Sequence, residues 1–204
     1  MRMFIALDVD DGIRGRLARF IDGVHGFAPG ARWVRPESLH VTLKFIGEKP
    51  EQAVEAIRCA LSAVRTPPLE MTFRGYGFFP ETKAARVFWI GIDSGPQLAG
   101  LARQIDEAMV SLEIPKPDQA FAPHLTLARG GGGTGAPRRQ NGDGPNRRFS
   151  RLQQKLAERP MPEFGTMTAR EFCLYQSQLG PGGSRYMKIA QFGLQHPIMP
   201  WPPS

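Results

Sequence analysis

Histidine and cysteine are scarce in this chain of 204 residues, which has four of the first and two of the second. Two cysteines cannot staple a core of this size. Cys59, in a helical-looking segment, and Cys173, in a strand-like one, read as reduced, buried small hydrophobes. No apolar run reaches the ~18 residues that a membrane-spanning helix requires. The opening MRMFIALDVDDG has too few apolar residues before its aspartates to serve as a secretory signal. A cytoplasmic location, away from any membrane, is the expectation. No HExxH or CxxC spacing is present, which argues against a zinc site.

What the chain does have is positive charge. Lysine and arginine total 26 against 19 acidic residues, for a net charge of +7. A basic surface attracts polyanions across a Debye length of about 8–10 Å, which favours a nucleic-acid or phosphate ligand. Part of that charge is concentrated in one place. Arg138, Arg139, Arg147 and Arg148 lie in the Gly-rich stretch 130–148, which has no apolar periodicity, and Arg151 follows it. The stretch reads as a loop, either a flap that contacts a nucleic acid or an unconstrained insertion. The segment 195–204 reads as a loosely attached Pro-rich tail.

Apolar spacing predicts the elements between these features. MFIALDV reads as a buried strand. Ile13, Leu17, Phe20, Ile21 and Val24 mark an amphipathic helix, and a second strand covers about 38–46. Val54, Ile57, Leu61 and Val64 mark the next helix. LEMTFRGYGFFP and ARVFWIGID are strands, PQLAGLARQIDEAMVSL a helix, FAPHLTLAR a strand and SRLQQKLAE a short helix. MTAREFCLYQSQL and SRYMKIAQFGL are strands joined by the hairpin signal GPGG. The order strand–helix–strand–helix–strand occurs twice. From Phe4 to His40, as from Phe88 to His124, is 36 residues, so the halves are offset by 84. We read this as a duplication, with approximate repeats 1–84 and 85–194 in a single two-lobed domain. The fold class is α+β: duplicated βαβαβ units with largely antiparallel sheets flanking a central cleft.

Each repeat carries one copy of the same short motif, His40-Val41-Thr42-Leu43 and His124-Leu125-Thr126-Leu127. Strand side chains alternate between faces, so each motif displays a His–Thr pair while its two aliphatic residues point into the core. One such motif would read as a hydrogen-bonded core histidine. Two matching copies among four histidines, eight threonines and sixteen leucines arise by chance on the order of once in 10⁴ such compositions. His25, at a helix end, and His196, in the tail, read as incidental. Breaking a phosphodiester needs a base for the attacking oxygen and an acid for the departing one. Imidazole, with its ordinary pKa of about 6.5, can serve as either. Thr42 and Thr126 could donate to the phosphate oxygens. Arg129, just past the second motif, could add a cationic contact. By alternation Lys44 shares the His40 face and could enter the same cleft. Phe45 and Phe79 could stack a base or fill the core.

These two motifs, with MRMFIALDV, RWVRPESLHVTLKFIGE, FFPETKAARVFWIGI, FAPHLTLARG and CLYQSQLGPGGSRY, closely resemble the two-histidine phosphoesterase superfamily. Within it they resemble the LigT-like RNA 2′,3′-cyclic phosphodiesterases, also called 2′-5′ RNA ligases. Similarity covers nearly everything except the Gly-rich stretch, expanded here, and the Pro-rich tail. The resemblance implies hydrolysis of an RNA-terminal 2′,3′-cyclic phosphate to a 2′-phosphate, without metal or cofactor. His40 would be proton donor and His124 acceptor, with Thr42, Thr126 and Arg129 holding the phosphate. The repeat symmetry alone leaves the two histidines interchangeable. The partner would be an RNA or oligonucleotide with that terminus, bound by a monomer. The same site would also suit 2′-5′ ligation or cleavage, or a cyclic nucleotide. A non-catalytic RNA-binding module is the reading from a different class.

Overall fold

The first helix, α1 (Asp11–Val24), begins where the Asp10 carboxylate accepts a 2.7 Å hydrogen bond from the Ile13 amide. That bond partners one of the donors a helix start leaves open. The helix buries Ile13, Leu17, Ile21 and Val24, the face its apolar spacing predicts. The computed structural model describes residues 1–81, 84–130, 147–180 and 183–195. Most of the Gly-rich stretch, with Arg138 and Arg139, and the tail from residue 196 lie outside the described residues.

The strands are β1 (Arg2–Asp8), β2 (Arg32–Trp33), β3 (His40–Glu48), β4 (Leu69–Phe79), β5 (Val87–Asp93), β6 (His124–Arg129), β7 (Glu163–Ala169), β8 (Glu171–Gly180) and β9 (Gly183–Gly193). The remaining helices are α2 (Ala53–Ser62), α3 (Gly95–Val110) and α4 (Ser150–Ala157). A four-stranded sheet runs β3-β1-β8-β9 and a five-stranded sheet β2-β6-β5-β4-β7. Every pairing is antiparallel. This is the expected α+β architecture with antiparallel sheets.

The chain interlaces the two sheets. β4, from the first half, pairs with β5, while β8 and β9, from the second half, extend the sheet begun by β1 and β3. MTAREFCLYQSQL, which reads as one strand, changes sheet at Arg170 to give β7 and β8. One continuous core joins Leu7, Val41 and Phe172 with Phe88, Leu125 and Leu127. Cys173 lies in this interior, but Cys59 is exposed on α2, contrary to its expected burial. Among the described residues, no helix is long and apolar enough to cross a membrane.

One irregularity overturns an expectation about the site. Along β3, Lys44 pairs with Ile5 and Thr42 with Ala6, which leaves Leu43 as a bulge. A bulge resets alternation, because one extra residue turns everything after it to the opposite face. Leu43 and Lys44 are therefore both buried, and Phe45 points outward at 62% exposure. Lys44 does not enter the cleft. Its ammonium donates to Asp106 Oδ1 of α3 at 2.6 Å and to the Pro115 carbonyl at 2.8 Å. Removing one partner of a buried ion pair strands the other charge, whereas replacing both with apolar groups is often tolerated. We therefore expect Lys44→Met to cost about 3 kcal/mol in urea denaturation, and Lys44→Met/Asp106→Leu to recover most of that loss.

Candidate functional site

His40 and His124 are each the first residue of their strands, and the backbone holds both rings in the same way. His40 Nδ1 bonds the Ser38 carbonyl at 2.7 Å, and His124 Nδ1 bonds the Ala122 carbonyl at 2.8 Å. A carbonyl only accepts, so each Nδ1 carries the proton and each neutral ring keeps a lone pair on Nε2. The aliphatic partners Val41, Leu43, Leu125 and Leu127 are buried and peg both motifs to the core. Thr42 and Thr126 are half-buried, and among the described residues neither hydroxyl is engaged by another protein group.

β3 and β6 pack against one another across the junction of the two sheets, and the electrostatics of the two rings overlap. Withdrawal from water is the main reason that both imidazoles lie below the ordinary histidine value. The bonds to Ser38 and Ala122 work in the opposite direction, while the Arg129 guanidinium adds to the lowering at both rings. One cation therefore acts on both histidines. Arg129 itself is held below its ordinary value by partial desolvation and by Arg32 and Arg2, with Tyr186 opposing. Arg32 sits directly opposite Arg129 in the β2–β6 ladder. Like charges so placed repel, and an anion between them would relieve that repulsion.

Aromatic rings flank each imidazole. Around His40, the Phe4 centroid lies at 4.8 Å and the Tyr186 ring stands edge-on at 5.1 Å. Around His124, Phe79 stands edge-on at 5.3 Å and Trp89 at 6.3 Å. Trp89 fits only because residue 77 is glycine, since a Cβ there would lie 2.1 Å from the indole.

The two surroundings differ in one respect that the repeat does not reveal. Across the β1–β3 ladder His40 faces Asp8, whereas across β5–β6 His124 faces Gly91. A side chain at residue 91 would meet the Arg74 carbonyl 2.7 Å from its Cβ, so that position excludes a carboxylate. Asp8 accepts hydrogen bonds from the Tyr175 hydroxyl and, at 2.9 Å, from Lys188 Nζ. Burial favours its neutral acid, but these bonds and the Lys188 charge outweigh that and hold Asp8 below the usual carboxylate value. Asp8 in turn favours the protonated form of His40.

Asp8, Tyr175 and Tyr186 escaped the motif reading, although both tyrosines lie in the phrase CLYQSQLGPGGSRY. Phe45 stands on the His40 side, 6.3 Å from Phe4, and is not a core residue. Of the arginines near the Gly-rich stretch, Arg148 bonds the Gly30 carbonyl at 3.3 Å and Arg151 lies 5.6 Å from the Phe27 ring centroid. Asp8, Glu171 and Cys173 bring ligand-type atoms within 4.8 Å of one another. Lys188 already supplies their countercharge, at 2.9 Å from Asp8 and 3.9 Å from Glu171. Burial pushes the Cys173 thiol up to about 11, helped by Asp8.

The chain is 34% identical to the RNA 2′,3′-cyclic phosphodiesterase of Archaeoglobus fulgidus, over 94% of its own length and 99% of the relative's. It is 31% identical to the protein of the same name from Methanothermobacter thermautotrophicus, over 95% and 99%. A solved structure from Thermus thermophilus superposes with a TM-score of 0.75 at 28% identity, covering 96% of this chain and 99% of that one. Escherichia coli LigT in complex with 3′-AMP shares the fold, with a TM-score of 0.73 at 24% identity over 95% and 97% of the chains. The family described as LigT like Phosphoesterase matches twice, over residues 7–89 and 90–186, and each match spans one His-x-Thr-Leu motif. The chain belongs to the LigT-like phosphoesterase family.

Proposed function

We propose that this protein opens the 2′,3′-cyclic phosphate at the end of an RNA and leaves a 2′-phosphate, with His40 as acid and His124 as base. The observation that carries this reading is a matched pair of imidazoles, each with Nδ1 tied to a backbone carbonyl and both within the field of Arg129. The names of the curated relatives point to the same substrate. In this scheme His124 Nε2 takes a proton from water as the water oxygen bonds to phosphorus. The bond from phosphorus to the 3′ oxygen breaks, and that oxygen leaves with the proton from His40 Nε2. His40 ends neutral and His124 protonated, and exchange with solvent resets both. Thr42 and Thr126 donate to the non-bridging oxygens, and Arg129 offsets their growing charge. No step calls on a metal or cofactor, and the protein acts as a cytoplasmic monomer.

Asp8 supports the division of labour between the histidines. A carboxylate facing His40 favours its charged, acidic form, and Gly91 offers His124 nothing comparable.

Four outcomes are expected. His40→Ala and His124→Ala should each lower turnover of a cyclic-phosphate oligonucleotide by at least about 10² while remaining folded by circular dichroism. Wild-type activity should persist in EDTA. A folded variant of either histidine with near-normal turnover would sink the scheme. The pH dependence of kcat/KM follows from the directions given above. Activity falls at low pH as His124 gains its proton and at high pH as His40 loses its own. Both values lie below the ordinary histidine value of about 6.5, so the optimum of the free enzyme should fall below that pH. Asp8→Asn removes a charge that favours protonated His40, so it should move the alkaline limb to lower pH and leave the acid limb in place.

A further inference from the structure

A cavity of about 330 Å³ opens beside His40, and His124 is not part of its lining. Its volume falls within the range of about 300–1,000 Å³ typical of small-molecule sites. Phe4, Tyr175 and Tyr186 form an aromatic wall, and Arg35 and Arg185 join it as cationic lining residues. The wall is held in place. Phe4 stacks on Tyr175 at 5.3 Å and meets the edge of Tyr186 at 5.0 Å, and the Tyr175 hydroxyl is bound to Asp8. Aromatic faces accept a base by stacking, and arginine suits a phosphate through paired hydrogen bonds. Arg35 and Arg185 are both exposed, so a ligand entering from solvent can reach them.

The proposed chemistry independently requires a nucleoside on this side. The 3′ oxygen that His40 protonates belongs to the terminal ribose, so that ribose, its base and the chain upstream must lie on the His40 side. Water enters from the opposite side, where His124 stands. We propose that the cavity beside His40 holds the terminal nucleoside of the RNA, and that Arg35 and Arg185 bind the phosphate linking it to the preceding nucleotide. This assignment rests on the catalytic reading above and adds a direction to it: the RNA runs into the cleft past β9 and ends at the phosphorus. It makes the protein a reader of one nucleotide step beyond the reacting group.

The test compares a diribonucleotide ending in 2′,3′-cyclic phosphate with the corresponding nucleoside 2′,3′-cyclic phosphate. Wild-type protein should favour the dinucleotide in kcat/KM. In Arg185→Gln and Arg35→Gln, both confirmed folded, that preference should drop about tenfold through KM, with kcat for the dinucleotide within twofold of wild type. A preference unchanged in both variants, or absent from the wild type, overturns the assignment while the catalytic scheme stands. If the wild type opens neither compound, the catalytic scheme fails and the assignment falls with it.

Discussion

A hydrogen bond at Nδ1 fixes a histidine in the tautomer that leaves the Nε2 lone pair free, and here the main chain makes that bond at both rings. The bonds from the rings to the Ser38 and Ala122 carbonyls set the tautomer, aim the rings and need no further side chain to do so. They depend on the aliphatic halves of the motifs. Val41, Leu43, Leu125 and Leu127 fix where each strand starts relative to the core, so the carbonyl two residues upstream lies within reach of its ring. Core packing is thus converted into the orientation of an imidazole.

Holding two such strands together is the task of the interlaced sheets. A duplicated chain whose halves folded side by side would leave the lobes free to hinge. Here β4 crosses into one sheet and β8–β9 into the other, and a single hydrophobic cluster spans both. The Lys44–Asp106 pair adds a polar tie between β3 and α3 at a depth where a lost partner is costly. The histidines begin β3 and β6, the strands that pack together where the two sheets meet.

Charge is distributed with the same economy. Arg129, whose charge acts on both imidazoles, has Arg32 and Arg2 near enough to oppose its own charge, a placement that is unfavourable without an anion and favourable with one. Asp8, the carboxylate opposite His40 in the β1–β3 ladder, is tied up by Tyr175 and Lys188. Its negative charge therefore biases His40 without opposing the approach of a phosphate as an unpaired acid would.

Much of this was legible in the residues alone. Helical spacing located α1 and α2, and the paired His-x-Thr-Leu motifs disclosed a symmetric polar site, because alternation along a strand depends only on local geometry. Lys44 marks where that rule stopped: a bulge at Leu43 belongs to the pairing of β3 with β1 and has no local signal. Register likewise set Asp8 opposite His40 and Gly91 opposite His124, so a difference between two similar motifs arose from residues far upstream of each in the chain. Tyr175 and Tyr186 reached the site because β8 and β9 joined the sheet of the first half. The sequence by itself determined the chemistry available, two imidazoles and two hydroxyls on pegged strands. Tertiary structure decided which imidazole has a carboxylate beside it and which side of the cleft carries the aromatic wall, since both follow from contacts between segments far apart in the chain.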